Sequence, residues 1–329
     1  MPGRWASLVK SSVVLGLLLA SLLLALVRVT DPTERRLIEL ATLSPLGLPF
    51  AALALLGATA WAATRRARVI GMLAATCLVV AHGWWLAPFY WGDTPAEDPA
   101  SLVVLTQNLE YGDVATLADL VRSRDVDVLV LTDVGTERLE LLLATDVGTR
   151  LPYSAGVENH VVHGGAVVLS RLPVTRTALL YHESESRVVE VRAAGLGEVT
   201  IAAIHTRPPY DPDAWRTDHD QVHAALTRLR ADRDSAVVLA GDFNATLAHA
   251  PMRRLRDLGF TDAAVQVNAG WSPTWPAGGH ERRLGITVPV FAAIDHVLTS
   301  PRLLVSNADT LTLPGADHEA VLATISGAG

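Results

Sequence analysis

The sequence predicts an α/β sandwich of mixed strands, preceded by three membrane-spanning helices. Three observations carry this expectation. The first 95 of the 329 residues are dominated by Ala and Leu, in apolar runs long enough to cross a bilayer. The remainder alternates short apolar runs with segments bearing Arg, Asp and Glu. Those runs are unevenly spaced with few helices between them, which disfavours a regular doubly wound sheet.

Residues 11–27 form a charge-free apolar run flanked by Lys10 and Arg28. A cleaved signal peptide is the alternative reading, but two further spans, near 46–63 and 69–87, argue for an anchor. Trp84, Trp85, Phe89, Tyr90 and Trp91 fit an interfacial aromatic belt at the end of the third. Arg4 and Lys10 precede the first span, and Arg65, Arg66 and Arg68 separate the second from the third. The arginines of loop 28–44 are accompanied by Asp31, Glu34 and Glu39, and no Lys or Arg follows the third span until Arg122. The expected topology therefore has the N-terminus inside and everything after residue 92 outside. The domain organisation read from this is an anchor at 1–92, a Pro-rich polar linker at 93–101 and a soluble domain at 102–329.

Within the soluble part, strands are expected at 102–107, 128–132, 165–170, 187–191, 199–205, 236–240, 293–298 and 320–325. Helical periodicity fits 114–124, 213–230 and about 250–258. Residues 96–329 carry 19 basic and 30 acidic side chains, a net charge of −11. That lowers the odds of non-specific binding to a polyanion such as nucleic acid. Cys77 is the single cysteine, so no disulfide within the chain can form.

Polar residues fall at the strand ends. Asn108 ends V-V-L-T-Q-N, Asp133 follows V-L-V-L-T, His205 ends T-I-A-A-I-H, and Asp242 and Asn244 close A-V-V-L-A-G-D-F-N. Asp295-His296 lies in I-D-H-V, and Asp317-His318 precedes the last strand. Active sites of sheet enzymes are assembled from such ends. If extended geometry continues past Asp242, Asp242 and Asn244 leave on one face. Asp133, Asp317 and Asn108 are the hard oxygen ligands that Mg²⁺ prefers, and Asp242 suits orienting and deprotonating a water. His205 and His318 can donate to phosphate oxygens, with Asp295 orienting His318 and keeping it protonated. The chemistry suggested is metal-assisted attack on phosphorus.

N108, L-T-D133-V, S-R-L-P at 170–173, H205, G-D-F-N at 241–244, T-W-P at 274–276, I-D-H at 294–296 and A-D-H at 316–318 resemble the endonuclease/exonuclease/phosphatase superfamily, in its order, over about 100–326. The resemblance implies a four-layer α/β sandwich, two packed mixed sheets flanked by helices, and Mg²⁺-dependent phosphoester hydrolysis, with Mn²⁺ as a substitute. By matching position, Asn108 and Asp133 would bind metal and Asp317 would lie near it. Asp242 would position the nucleophilic water, Asn244 and His205 would contact phosphate, and Asp295 would support His318. Two positions depart from the pattern. Thr132-Asp133 stands where Q-E is usual, one methylene shorter, and Ala316 replaces the serine of S-D-H.

Each residue has a plainer reading. Asp242 and Asn244 suit a turn, His205 a satisfied structural histidine, and Asp133 an N-cap for a helix starting near Thr136. His219 and His223 imitate a zinc helix, but no third ligand is evident and a solvated helix face is favoured. Trp271 and Trp275 suit loop packing, or by resemblance the substrate mouth, and Gly164-Gly165 suits a turn. The leading expectation is a membrane-anchored, extracytoplasmic phosphoester hydrolase, with a lipid headgroup or small phosphoester favoured. The alternatives are an extracytoplasmic nuclease and a catalytically degenerate, membrane-tethered binding domain.

Overall fold

The structure, a computed structural model, describes residues 2–62, 64–92, 101–156, 165–180, 186–230, 235–283 and 285–328. The linker expected at 93–101 lies outside the described residues except for Ser101, and so does Gly164. The chain forms two compact units, Met1–Pro88 with Ala248–Ala250, and Phe89–Leu247 with Pro251–Gly329.

The first unit is helical: α1 (Pro2–Val29), α2 (Arg35–Ala41), α3 (Gly47–Trp61) and α4 (Arg65–Leu86). Three stretches are long and apolar enough to cross a membrane: Leu8–Val29, Ser44–Trp61 and Arg65–Phe89. The third begins earlier than hydropathy alone indicates, because Thr64 caps the helix by accepting from Ala67 N and draws the three arginines into its first turns. The short α2, in the polar loop, escapes a hydropathy reading. Where α3 starts, Gly47 makes room for a buried histidine: a Cβ there would lie 2.0 Å from the His82 ring. His82 Nε2 lies 3.2 Å from Ser21 O, and Ser21 Oγ donates to Gly47 O at 2.9 Å. These bonds satisfy polar groups inside an apolar bundle.

The second unit runs β1 (Ser101–Asn108), α5 (Val114–Ser123), β2 (Val128–Thr132), α6 (Thr136–Leu143), α7 (Val147–Arg150), β3 (Tyr153–Ala155), β4 (Val167–Ser170), β5 (Val174–Leu179), β6 (Arg187–Ala193), β7 (Gly197–His205) and α8 (Pro212–Leu229). It continues with β8 (Ala236–Asp242), α9 (Ala250–Asp257), β9 (Thr261–Asp262), α10 (Ala263–Gln266), β10 (Arg282–Arg283), β11 (Ile286–Thr287), β12 (Asp295–Thr299), β13 (Leu303–Leu311) and β14 (Ala320–Gly327). All eight expected strands and all three expected helices form, within a few residues at their ends. Two longer strands escaped the pattern. β5 is an edge strand with five exposed positions, and β13 contains Ser306, Asn307 and Asp309 and a register shift between Val305 and Asn307. Pairing with β6 and β14 overrides their weak local signal.

Two six-stranded mixed sheets result, ordered β13-β14-β1-β2-β4-β3 and β5-β6-β7-β8-β12-β9. Each has one parallel pair near its centre, β1 with β2 and β7 with β8, and antiparallel neighbours elsewhere. The sheets pack face to face through Leu102, Val104, Val128, Val130, Ile201, Ala203, Val238, Ala240 and Val297, all buried in one cluster. Leu105, Leu129 and Leu131 point the other way, into a second cluster with Leu117, Val121 and Leu139 of α5 and α6. This is the expected α/β sandwich, two mixed sheets flanked by helices.

The same alternation positions the polar strand ends. Asn108 has the parity of Val104, His205 of Ala203, Asp242 of Ala240 and Asp295 of Val297. All four are delivered to the inter-sheet face. Register sets three of them side by side, since Asp242 pairs with His205 on one flank and Asp295 on the other.

Candidate active site

β8 ends at Gly241-Asp242, and the glycine is required there. Gly241 has φ 140°, and a Cβ on it would lie 1.9 Å from Ile204 O. Beyond Asp242 the extended geometry does not continue, which corrects the expectation that alternation aligns Asp242 with Asn244. Asn244 is left-handed, φ 46°, and a tight turn brings it back: its N–H donates to Asp242 Oδ1 at 2.7 Å. Asn244 Nδ2 donates to Asp242 Oδ2 at 3.2 Å and to Thr206 O at 2.8 Å. Both amide hydrogens thus point inward, and the side chain orients Asp242.

Asp242 is buried and held from the opposite sheet as well. Asn108 Nδ2 donates to Asp242 Oδ2 at 3.1 Å and to Asp133 Oδ2 at 3.2 Å. Asp133 also receives His205, whose Nε2 is 3.3 Å from Oδ2. Asp133 does not cap α6: the N-cap is Gly135, and no side chain caps that end. Its φ of 50° is left-handed, a conformation Asp tolerates better than most residues, and it turns the carboxylate into the site.

His318 Nδ1 donates to Asp295 Oδ2 at 2.8 Å and lies 4.0 Å from Asp242 Oδ2. Burial works against charging this imidazole, but Asp295's charge and hydrogen bond, with Asp242 and Asp317, raise it to about 10. Burial, together with the Asp295 carboxylate, pushes Asp242 up to about 6, against the pull of His318, His205 and the Asn244 N–H. For Asp133, burial also acts upward, but the hydrogen bond and charge of His205, with Asn108, outweigh it and hold its pKa below the ordinary value.

Seven of the eight expected site residues are therefore brought together: Asn108, Asp133, His205, Asp242, Asn244, Asp295 and His318. The eighth, Asp317, adjoins His318 in the chain and acts on it by charge. Among the described residues, one group of three His, Cys, Asp or Glu side chains has metal-ligand spacing: Asp242, Asp295 and His318, with ligand atoms within 4.8 Å of one another. His219 and His223 are not in such a group; His219 is buried with its ring against Trp215 at 4.7 Å.

The donor set fits a divalent cation. Three carboxylates, those of Asp133, Asp242 and Asp295, face two imidazoles, and Asp317 adds a fourth negative charge nearby. Asp295 Oδ1 and Asp317 Oδ1 are buried without a hydrogen-bond donor. Such uncompensated oxygens suit a hard cation. His318 Nδ1 is committed to Asp295 and Asp133 Oδ2 to Asn108 and His205, which leaves Asp295 Oδ1, Asp317 Oδ1 and the other oxygen of Asp133 as the freer ligands.

Several supporting residues escaped the sequence reading. Thr274 Oγ1 accepts the N–H groups of Ile294 at 3.1 Å and Asp295 at 3.2 Å, fixing the start of β12. Gln107 Nε2 donates to His318 O at 3.2 Å, and Trp215 Nε1 to Asn244 O at 3.0 Å. His296 points away from the site. Its Nδ1 lies 2.8 Å from Asp262 Oδ2 and its Nε2 3.0 Å from Ala245 O, so the buried ring is a double donor behind the G-D-F-N turn. Burial lowers its pKa, but Asp262 and Ala245 outweigh this and the net shift is upward. Thr274 and His296 lay inside motifs already noticed, where only their neighbours were read as chemical. Trp275 packs its ring on Phe291 at 6.0 Å.

A sequence profile described as the Endonuclease/Exonuclease/phosphatase family matches residues 105–320. No curated protein sequence matches the chain. Among solved structures, an endonuclease/exonuclease/phosphatase from Beutenbergia cavernae DSM 12333 is 21% identical, with TM-score 0.54 over 70% of this chain and 72% of that one. D. rerio TDP2 complexed with single strand DNA product is 12% identical, with TM-score 0.54 over 69% and 99%. An endonuclease/exonuclease/phosphatase from Bacteroides vulgatus is 14% identical, with TM-score 0.53 over 69% and 99%. At these identities the likeness is one of fold.

Proposed function

The chain belongs to the Endonuclease/Exonuclease/phosphatase family, whose members are metal-dependent hydrolases of phosphoester bonds, and on that footing we propose a membrane-anchored, extracytoplasmic Mg²⁺-dependent phosphoester hydrolase. The observation that carries this reading is the buried Asp242 carboxylate. It is oriented by Asn108 and Asn244 from two sheets and stands beside a charged His318–Asp295 pair.

Asn108, Asp133 and Asp317 would hold the cation. When bound, Mg²⁺ supplies positive charge against a phosphate oxygen and the developing charge of the leaving group. Asp242 orients a water and takes its proton, a task for which a pKa near neutrality is suited. His318, with Nδ1 committed to Asp295, has Nε2 left to donate to a phosphate oxygen. Asp295 keeps that imidazole protonated, and His205 supplies a second imidazole to the phosphate.

A lipid headgroup or small phosphoester is the favoured substrate class. The net charge of −11 over residues 96–329 opposes a polyanion, and three helices are long and apolar enough to hold the chain at a bilayer. The reaction is read as acting on a phosphodiester or a phosphomonoester, so the test is hydrolysis of bis(p-nitrophenyl) phosphate and of p-nitrophenyl phosphate by the detergent-solubilised chain. Turnover that requires Mg²⁺ or Mn²⁺ and stops on chelation supports the reading; none with any divalent cation overturns it. Protease added to intact cells should remove the domain, and full protection would overturn the extracytoplasmic placement.

A further inference from the structure

Three loops around the site are tied to one another. Asp113 N donates to Pro314 O at 2.9 Å, joining the loop after Asn108 to the loop before Asp317. Ala277 N donates to Asp317 O at 2.7 Å, and His280 Nε2 donates to Gly315 O at 2.9 Å. Packing is close enough that a Cβ on Gly278 would lie 2.3 Å from Ala316 O, and one on Gly112 2.7 Å from Leu313 Cδ2. Ala316, where the family pattern has serine, is fully buried in this contact.

The tied loops present two rings to solvent. Tyr111 and His280 stack with centroids 5.0 Å apart and planes 33° from parallel, and Tyr111 keeps 41% of its surface exposed. Tyr111 lies three residues from Asn108, and His280 is bonded to Gly315, two residues before Asp317. The charge and hydrogen bond of Glu110 raise the Tyr111 hydroxyl's pKa, with a smaller push from Asp317. The pair is thus pinned on the rim of the site by the loops that carry Asn108 and Asp317. An exposed ring held rigid costs little further ordering when another flat ring covers it.

We infer that Tyr111 and His280 form a stacking subsite for a planar aromatic ring carried by the phosphoester substrate, as in a nucleotide-type small phosphoester. This deepens the hydrolase reading and rests on it for the position of the phosphate. An aromatic platform is indifferent to ring identity, because every base has a π-face, and one stack is worth roughly a 5- to 150-fold difference in affinity.

The experiment is calorimetric binding to the full chain in detergent with Mg²⁺, using adenosine 5′-monophosphate, ribose 5-phosphate and inositol 1-phosphate. The expected result is adenosine 5′-monophosphate bound roughly tenfold tighter than the other two. Tyr111→Ala should erase that preference without weakening ribose 5-phosphate, and Tyr111→Phe should keep it. Equal binding of the first two ligands, an equal preference for inositol 1-phosphate, or a Tyr111→Ala loss shared by all ligands overturns the subsite. Turnover of bis(p-nitrophenyl) phosphate or p-nitrophenyl phosphate separates the two readings. Turnover without a ring preference removes only the subsite; a Tyr111-dependent preference without turnover removes only the hydrolase assignment.

Discussion

Nδ1 of His318 lies 2.8 Å from Oδ2 of Asp295, across 23 residues of chain and between the two sheets, and the contact keeps the imidazole charged. With the anionic partner neutralised, the favourable Coulomb interaction goes and burial takes over, so the imidazole pKa falls. Asp295→Asn should therefore move the alkaline limb of the pH–rate profile to lower pH and lower kcat. An unmoved limb would show that His318 is not the titrating acid.

The limbs themselves are a second expectation. Asp242 must be ionised to take a proton, so activity should rise with pH through about 6 and fall as His318 deprotonates near 10. A divalent cation nearby favours the carboxylate, so the acid limb should shift to lower pH as Mg²⁺ is raised. A limb fixed across Mg²⁺ concentrations would place the metal away from Asp242.

Asp242→Asn preserves volume while removing the base. The expected loss in kcat is roughly 10²- to 10⁴-fold, and because the new amide NH2 must face N–H donors that the carboxylate accepted, the melting temperature should fall as well. Activity left intact would remove Asp242 from the mechanism.

Asp133 combines a left-handed backbone with a short reach. Asp133→Asn keeps a residue that tolerates φ 50° but removes a negative charge from the ligand set. The Mg²⁺ concentration for half-maximal activity should rise roughly tenfold or more, with the melting temperature held. Asp133→Glu restores the family's usual length in a conformation less suited to Glu, and should lower stability by roughly 1 kcal/mol. Thermal melts of the two variants check the contrast.

Gly241→Ala asks a Cβ to occupy the space of Ile204 O, 1.9 Å away, at φ 140°. A destabilisation above about 3 kcal/mol is expected, lowering the melting temperature of the domain by roughly 6–12 °C. A smaller shift would mean that β7 and β8 separate readily at their ends.

Much of this protein was legible in one dimension because its signals are periodic or local. Three apolar runs mark the helices of the first unit, and eight apolar stretches mark the strands that form the centres of both sheets. G-D-F-N with a later D-H suffices to suggest the family, because the combination is far more specific than either motif alone. What the sequence left open was the conformation past a strand end. Alternation aligns Asp242 with Asn244 only if the strand continues through Phe243, and the chain instead turns left-handed at Asn244 and closes the pair by hydrogen bonds.

The sequence by itself determined the long apolar helices, the central strands, the family and the cast of polar residues, because hydrophobic period and residue type are properties of short segments. Only the tertiary structure decided who touches whom. The Asn108 amide bridges Asp133 and Asp242 because two sheets pack face to face, and His296 turns away from the site while its neighbour Asp295 turns in. The pKa values of Asp242 and His318 are likewise tertiary, since each is set by burial and by charges that arrive from distant parts of the chain.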